Sequence, residues 1–196
     1  PAVVGTTVFA AARDGSVLRA DQGAQAWRTG LGQVISGGVG ADAKRVVVGS
    51  PKGEIIAMDA TNGREIWRVR VSSEVLAAPV VSDDVVLVRS ADSRIFAFDA
   101  VDGKRRWVYQ RTLPALSLRS PTGLVVAGKV VLAGFPGGKL VAIALNNGAA
   151  TWEATVALPK GATELERVAD VSSAPAIGSR DVCAAAFQGR AACFDL

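Results

Sequence analysis

Ala57-Met58-Asp59-Ala60-Thr61-Asn62-Gly63-Arg64-Glu65-Ile66-Trp67 is answered 40 residues later by Ala97-Phe98-Asp99-Ala100-Val101-Asp102-Gly103-Lys104-Arg105-Arg106-Trp107. The two stretches agree in register at Ala, Asp, Gly and Trp. A third copy runs from Ala142 to Trp152, with Gly148 kept and Leu145-Asn146-Asn147 in the turn. The first copy, Leu18 to Trp27, keeps Asp21, Gly23 and Trp27 on a turn shorter by two residues. A fifth begins at Asp181 and reaches Asp195-Leu196 before any Trp. Trp27, Trp67, Trp107 and Trp152 therefore stand 40, 40 and 45 residues apart, the period of a four-stranded propeller blade.

Each part of the pattern has a physical reason. Val46-Val47-Val48 and Val85-Val86-Leu87-Val88 are runs expected of strands buried on both faces. Gly53, Gly138 and Gly189 follow at hairpin positions, where a positive φ is needed. The Asp closes the next strand and bonds the backbone of the turn it opens. Asn62-Gly63, Asp102-Gly103 and Asn147-Gly148 then supply that turn. The Trp on the outermost strand lies against the neighbouring blade, with its N–H at the wetter edge. Pro1, Pro79, Pro121 and Pro175 fall near the start of the innermost strands, where Pro is tolerated. A β-sandwich with fortuitous spacing does not account for near-identical eleven-residue copies. The expected fold is an all-β propeller of four-stranded antiparallel blades, docked through Trp27, Trp67, Trp107 and Trp152. Its blades run over residues 1–30, 31–70, 71–110, 111–155 and an incomplete 156–196. About four and a half blades close a ring poorly and leave strand edges bare, so the stretch reads as part of a propeller of about eight.

Composition narrows the chemistry. Histidine is absent, which removes Ser-His-Asp and Cys-His pairs, imidazole bases and most zinc sites. Carboxylate, Lys and oxygen-held metal chemistry stay open, but the expectation is a non-enzyme, with no cofactor, metal or catalytic residue. Lys and Arg number 22 against 18 Asp and Glu, and the densest basic run is Lys104-Arg105-Arg106. That is a solvated surface rather than a nucleic-acid footprint. No apolar run reaches the ~18 residues of a membrane helix, and Pro1 opens onto a strand-like stretch rather than a signal peptide.

Insertions in a repeat array mark functional loops. Trp67 to Pro79 is 12 residues and Trp107 to Pro121 is 14, but Trp152 to Pro175 is 23. The two longer connections leave successive blade junctions on one face, so they are expected to be neighbours. The first carries Leu113-Pro114-Ala115-Leu116-Ser117-Leu118-Arg119-Ser120, with Leu116 and Leu118 on one side and Arg119 beside them. The second carries Lys160 to Val171, in which Thr163 and Glu166 have capping-box spacing and predict a short helical turn. Apolar anchors with an Arg, next to a polar loop bearing a carboxylate, have the makeup of a protein-binding hot spot. The plain alternative is that the leucines fold beneath the loop.

Leu116-Ser117-Leu118-Arg119, together with Thr163-Glu164-Leu165-Glu166-Arg167-Val168-Ala169-Asp170, resembles the BamB family of outer-membrane β-barrel assembly lipoproteins. The similarity covers essentially the whole chain, as an internal segment of an eight-bladed fold. The resemblance implies a scaffold that binds the periplasmic domains of BamA and assists outer-membrane protein insertion, with unfolded clients as further partners. Family contact positions fall on Leu116, Leu118, Arg119 and Asp170. A second family carboxylate is Ser172 here, which weakens the acidic contribution. The resemblance also implies the periplasmic face of the outer membrane, reached through an N-terminal lipidated Cys that this chain lacks.

The alternative reading is a quinone-dependent dehydrogenase holding its cofactor with calcium over the propeller axis. Such enzymes typically carry adjacent cysteines, whereas Cys183 and Cys193 stand ten residues apart. A two-residue turn at Gln188-Gly189 would send those cysteines to opposite faces, and a three-residue turn would set them opposite each other. Cys193 also occupies the small-residue slot of Ala57 and Ala97, which favours a buried free thiol.

Overall fold

Why consecutive valines can all be buried is answered by the pleat. In the computed structural model, which describes residues 1–82, 84–188 and 190–195, Val46 and Val48 face one core with Phe9, Val17, Ile35 and Ile56. Val47 points the other way, into a core with Ile55, Trp67, Val86 and Phe98. A strand between two sheets feeds a different core from each face, so alternation of polarity vanishes.

No helix occurs among the described residues, which fall into two compact units, Pro1–Val108 and Tyr109–Leu196. The first unit holds three four-stranded antiparallel meanders. These are β1 (Ala2–Val4), β2 (Thr7–Ala11), β3 (Ser16–Asp21) and β4 (Ala24–Gly30); then β5 (Gly37–Ala41), β6 (Arg45–Gly49), β7 (Glu54–Asp59) and β8 (Glu65–Arg70). The third consists of β9 (Val80–Ser82), β10 (Val85–Arg89), β11 (Ile95–Asp99) and β12 (Arg105–Tyr109), whose last residue belongs to the second unit. That unit holds β13 (Val125–Ala127), β14 (Val130–Phe135), β15 (Lys139–Ala144) and β16 (Ala150–Thr155) in one sheet. The other sheet comprises β17 (Ala176–Ile177), β18 (Asp181–Ala186) and β19 (Arg190–Asp195). Pro1, Pro79 and Pro175 immediately precede β1, β9 and β17, while Pro121 stands four residues before β13.

The repeated turn is closed by its own side chains. Asp59 Oδ1 accepts from the N–H of Thr61 (2.8 Å) and Asn62 (3.1 Å), and Asp99 Oδ1 from that of Val101 (2.8 Å). Asn62, Asp102 and Asn147 accept in turn from the N–H two residues on. Gly63, Gly103 and Gly148 take φ of 70°, 73° and 73°. Gly53 and Gly138 are also in the left-handed region; Gly189 lies outside the described residues.

That turn is also the dock for the preceding blade. Trp27 Nε1 donates to Ala60 O at 3.0 Å, and Trp67 Nε1 to Ala100 O at 3.1 Å. The indole N–H is thus bonded to the neighbour's turn, half-buried at Trp27 and buried at Trp67. A Cβ at Gly63 would lie 2.7 Å from the Trp27 ring, and one at Gly103 2.8 Å from that of Trp67. Glycine serves two purposes there, the left-handed backbone and the space for the ring. Trp107 is buried as well, and Trp152 meets Phe194 edge-on at 5.6 Å. An indole removes ~150–250 Å² from water, an upper bound of about 4–6 kcal/mol per dock at ~25 cal/mol/Å².

Candidate protein-docking site

The second unit brings its two long connections together. The connection between β12 and β13 begins with a clamp: Arg111 Nη1 donates to Glu153 Oε2 at 2.6 Å, and its guanidinium lies 5.5 Å from the Phe135 ring centre. Each partner favours the other's charged form, so the Glu153 carboxyl is held below its usual range and Arg111 is raised. The connection ends on buried Thr122 and Leu124. Between these fixed ends, Leu116 and Leu118 stand 43% and 37% exposed, and Arg119 is exposed beside them.

The connection between β16 and β17 has two parts. Its first is polar and local. Thr163 Oγ1 accepts from Glu166 N–H at 3.3 Å, while Glu166 Oε2 accepts from the N–H of Thr163 (3.0 Å) and Ala162 (2.8 Å). This is the reciprocal capping-box pattern, on a single turn rather than a helix. The amide donors hold the Glu166 carboxyl below its ordinary value. The second part is apolar and anchored. Val168, Ala169 and Val171 are buried, Ala169 and Val171 in one core with Leu132, Leu140, Val182 and Ala186. A Cβ on Gly134 would come 2.3 Å from Val171 Cγ1, so the glycine leaves the space that Val171 occupies.

Between those buried neighbours sits Asp170. Its Oδ2 accepts from the N–H of Leu118 at 2.6 Å, its Oδ1 from that of Gly137 at 3.1 Å, and its carbonyl from that of Phe187 at 2.8 Å. One residue thus fastens three loops to one another. The sequence reading placed Asp170 at the partner contact with Leu116, Leu118 and Arg119. In the structure Asp170 is 4% exposed, and its carboxylate is bonded to the main-chain donors of Leu118 and Gly137. Ser172, where the family pattern has a second carboxylate, is exposed, and its N–H donates to Ala185 O at 3.1 Å.

Two features escaped the sequence reading. Gly137, with φ of 75°, turns its N–H toward Asp170; the tandem Gly137-Gly138 was the signal. Phe187, at the β18–β19 hairpin, is 43% exposed, and the sequence draws attention only to its neighbours Gln188-Gly189, as the turn between the cysteines. Those cysteines are bridged: Cys183 and Cys193 face each other in register as a disulfide. Ala186 pairs with Arg190, so three residues connect the strands and place both sulfurs on one face. The expected free thiol is overturned by that connection length.

Comparisons with known proteins agree with this architecture. The family model described as "Outer membrane protein assembly factor BamB" matches residues 13–196. The outer membrane protein assembly factor BamB of Bordetella pertussis is 47% identical over the full chain, which spans 51% of that relative's length. The crystal structure of BamB from Moraxella catarrhalis superposes with a TM-score of 0.91 at 31% identity, covering 97% of this chain and 59% of that one. A quinohemoprotein alcohol dehydrogenase from Pseudomonas putida HK5 superposes at TM-score 0.75 over 97% of this chain and 39% of its own, at 14% identity. That last likeness shows the fold alone. The sheets are all-β propeller blades, and this chain belongs to the BamB family of outer membrane protein assembly factors.

Proposed function

We propose that this protein is a non-catalytic scaffold in outer-membrane protein assembly, docking through Leu116, Leu118 and Arg119 onto the periplasmic domains of BamA. It acts on the periplasmic side of the outer membrane. The observation that carries the reading is the Leu118–Asp170 bond. It fixes the backbone of a loop whose two leucines remain substantially exposed. Exposed apolar side chains on a pre-organised backbone bind at low ordering cost, and an adjacent Arg suits a hot spot centre. Leu116 and Leu118 enter an apolar depression on the partner, and Arg119 meets a carboxylate or carbonyls there. Relatives named as assembly factors support the cellular role.

The test is a titration of the purified protein against the isolated periplasmic domains of BamA. Leu116→Ala and Arg119→Ala each weaken binding about tenfold or more while leaving the unfolding midpoint unchanged. Wild-type affinity in both variants overturns the assignment.

A further inference from the structure

Leu118 and Phe187 are fastened to opposite parts of the same residue. Leu118 N–H donates to the Asp170 carboxylate at 2.6 Å, and Phe187 N–H to the Asp170 carbonyl at 2.8 Å. Phe187 therefore stands beside the docking loop, 43% exposed. The chain on both sides of that bond is tied down as well. Gln188 follows with φ of 71° and donates from Nε2 to Glu166 O at 3.1 Å. Ala186 pairs with Val171 in an isolated bridge, and Ala185 O accepts from the N–H of Ser172 and Ser173. Tight hairpins favour Gly, Asn, Asp and Ser, so a large aromatic ring here is not a requirement of the turn. Nor is it spent on the core, since Val182, Ala184 and Ala186 fill the buried face of β18. Leu158 and Leu165 are more exposed, but what marks Phe187 is its tie to Asp170.

We propose that Phe187 is a third apolar anchor of the docking face. It shares with Leu116 and Leu118 one apolar patch on a folded partner protein, and the proposal rests on the docking reading above. Arg119 beside Leu118 and Arg190 beside the hairpin are both exposed, so the complementary patch is rimmed by carboxylates. An aromatic ring supplies more contact area than either leucine with few rotamers to freeze.

The experiment titrates wild type, Leu118→Ser, Phe187→Ser and Phe187→Tyr against the periplasmic domains of BamA. Phe187→Ser weakens binding about tenfold, and Phe187→Tyr, which keeps the ring, stays near wild type. If Leu118→Ser weakens binding and Phe187→Ser does not, Phe187 is no anchor and the docking loop stands alone. If neither weakens binding, the docking reading itself falls. A photo-crosslinking benzoylphenylalanine at position 187 keeps the test independent of how Ser is tolerated. It captures the partner domains if Phe187 is an anchor, and failure there while position 118 captures them overturns the proposal.

Discussion

The N–H of Leu118 reaches the carboxylate of Asp170 across 52 residues of sequence, at 2.6 Å and with Asp170 almost wholly buried. The acid is thereby a positioning residue. It ties a connection with no regular structure of its own, at Leu118, to the buried segment around Asp170.

Removing that acceptor separates display from contact. Asp170→Asn keeps the shape but offers one oxygen and one amine to two N–H donors, so Leu118 or Gly137 loses its partner. Charge-assisted bonds of this kind are worth about 1.5–3 kcal/mol each. Stability measured by urea falls by about that amount, and hydrogen exchange at the Leu118 amide speeds up more than at β14 or β15. Unchanged exchange at Leu118 would mean that the carboxylate does not hold the loop.

Glycine at the dock separates strain from collision. Gly103→Ala puts a methyl 2.8 Å from the Trp67 ring on a backbone with φ of 73°. Gly128→Ala meets φ of 56° but nothing within 4 Å. Left-handed strain alone costs about 1–2 kcal/mol, so Gly128→Ala loses that much. Gly103→Ala loses more, with a change in the fluorescence of the displaced indole. Equal denaturation midpoints for the two variants would mean that the ring does not press on the turn.

This contrast explains what the sequence made legible. The blade turn is local: Asp59, Asn62 and Gly63 act within five residues, and Trp27 and Trp67 repeat at a fixed distance from the next turn, so period and composition reveal them. The long connections were legible as insertions, and Thr163 with Glu166 as a spacing. The role of Asp170 was not. It depends on Val168, Ala169 and Val171 being drawn into a core and on a main-chain donor far away, and neither leaves a periodic trace. The cysteine pairing hung on one residue of turn length, the least certain quantity in a hairpin. Phe187 is a single aromatic with no repeat partner.

The disulfide makes its own prediction. Cys183 and Cys193 close a loop with a sequence separation of 10, for which chain entropy gives about 2–3 kcal/mol. The protein unfolded in denaturant without reductant exposes no thiol to a thiol reagent, and two after reduction. Reduction lowers protection in β18 and β19 while β5–β8 keep theirs. Two reactive thiols in the unreduced protein would return the cysteines to the free state first expected.

Acid acts on the polar half of the long connection through Glu166. Its folded pKa is depressed by the N–H groups of Thr163 and Ala162 and by the Thr163 hydroxyl. A depressed carboxylate binds fewer protons folded than unfolded. Its contribution is therefore full above the ordinary glutamate value, ~4.3, and is lost as pH falls through the lower folded value. The amide proton shifts of Ala162 and Thr163 titrate with a midpoint below that ordinary value. Glu166→Gln keeps an acceptor oxygen at the capping-box position but has no proton to gain, so its two amides stay bonded and flat across the same window. Arg111 and Glu153 remain wild type in the variant, so their own acid response does not enter the comparison. Titration of the Ala162 and Thr163 amides that persists in Glu166→Gln would place the proton on another group and remove Glu166 as the brace of this turn.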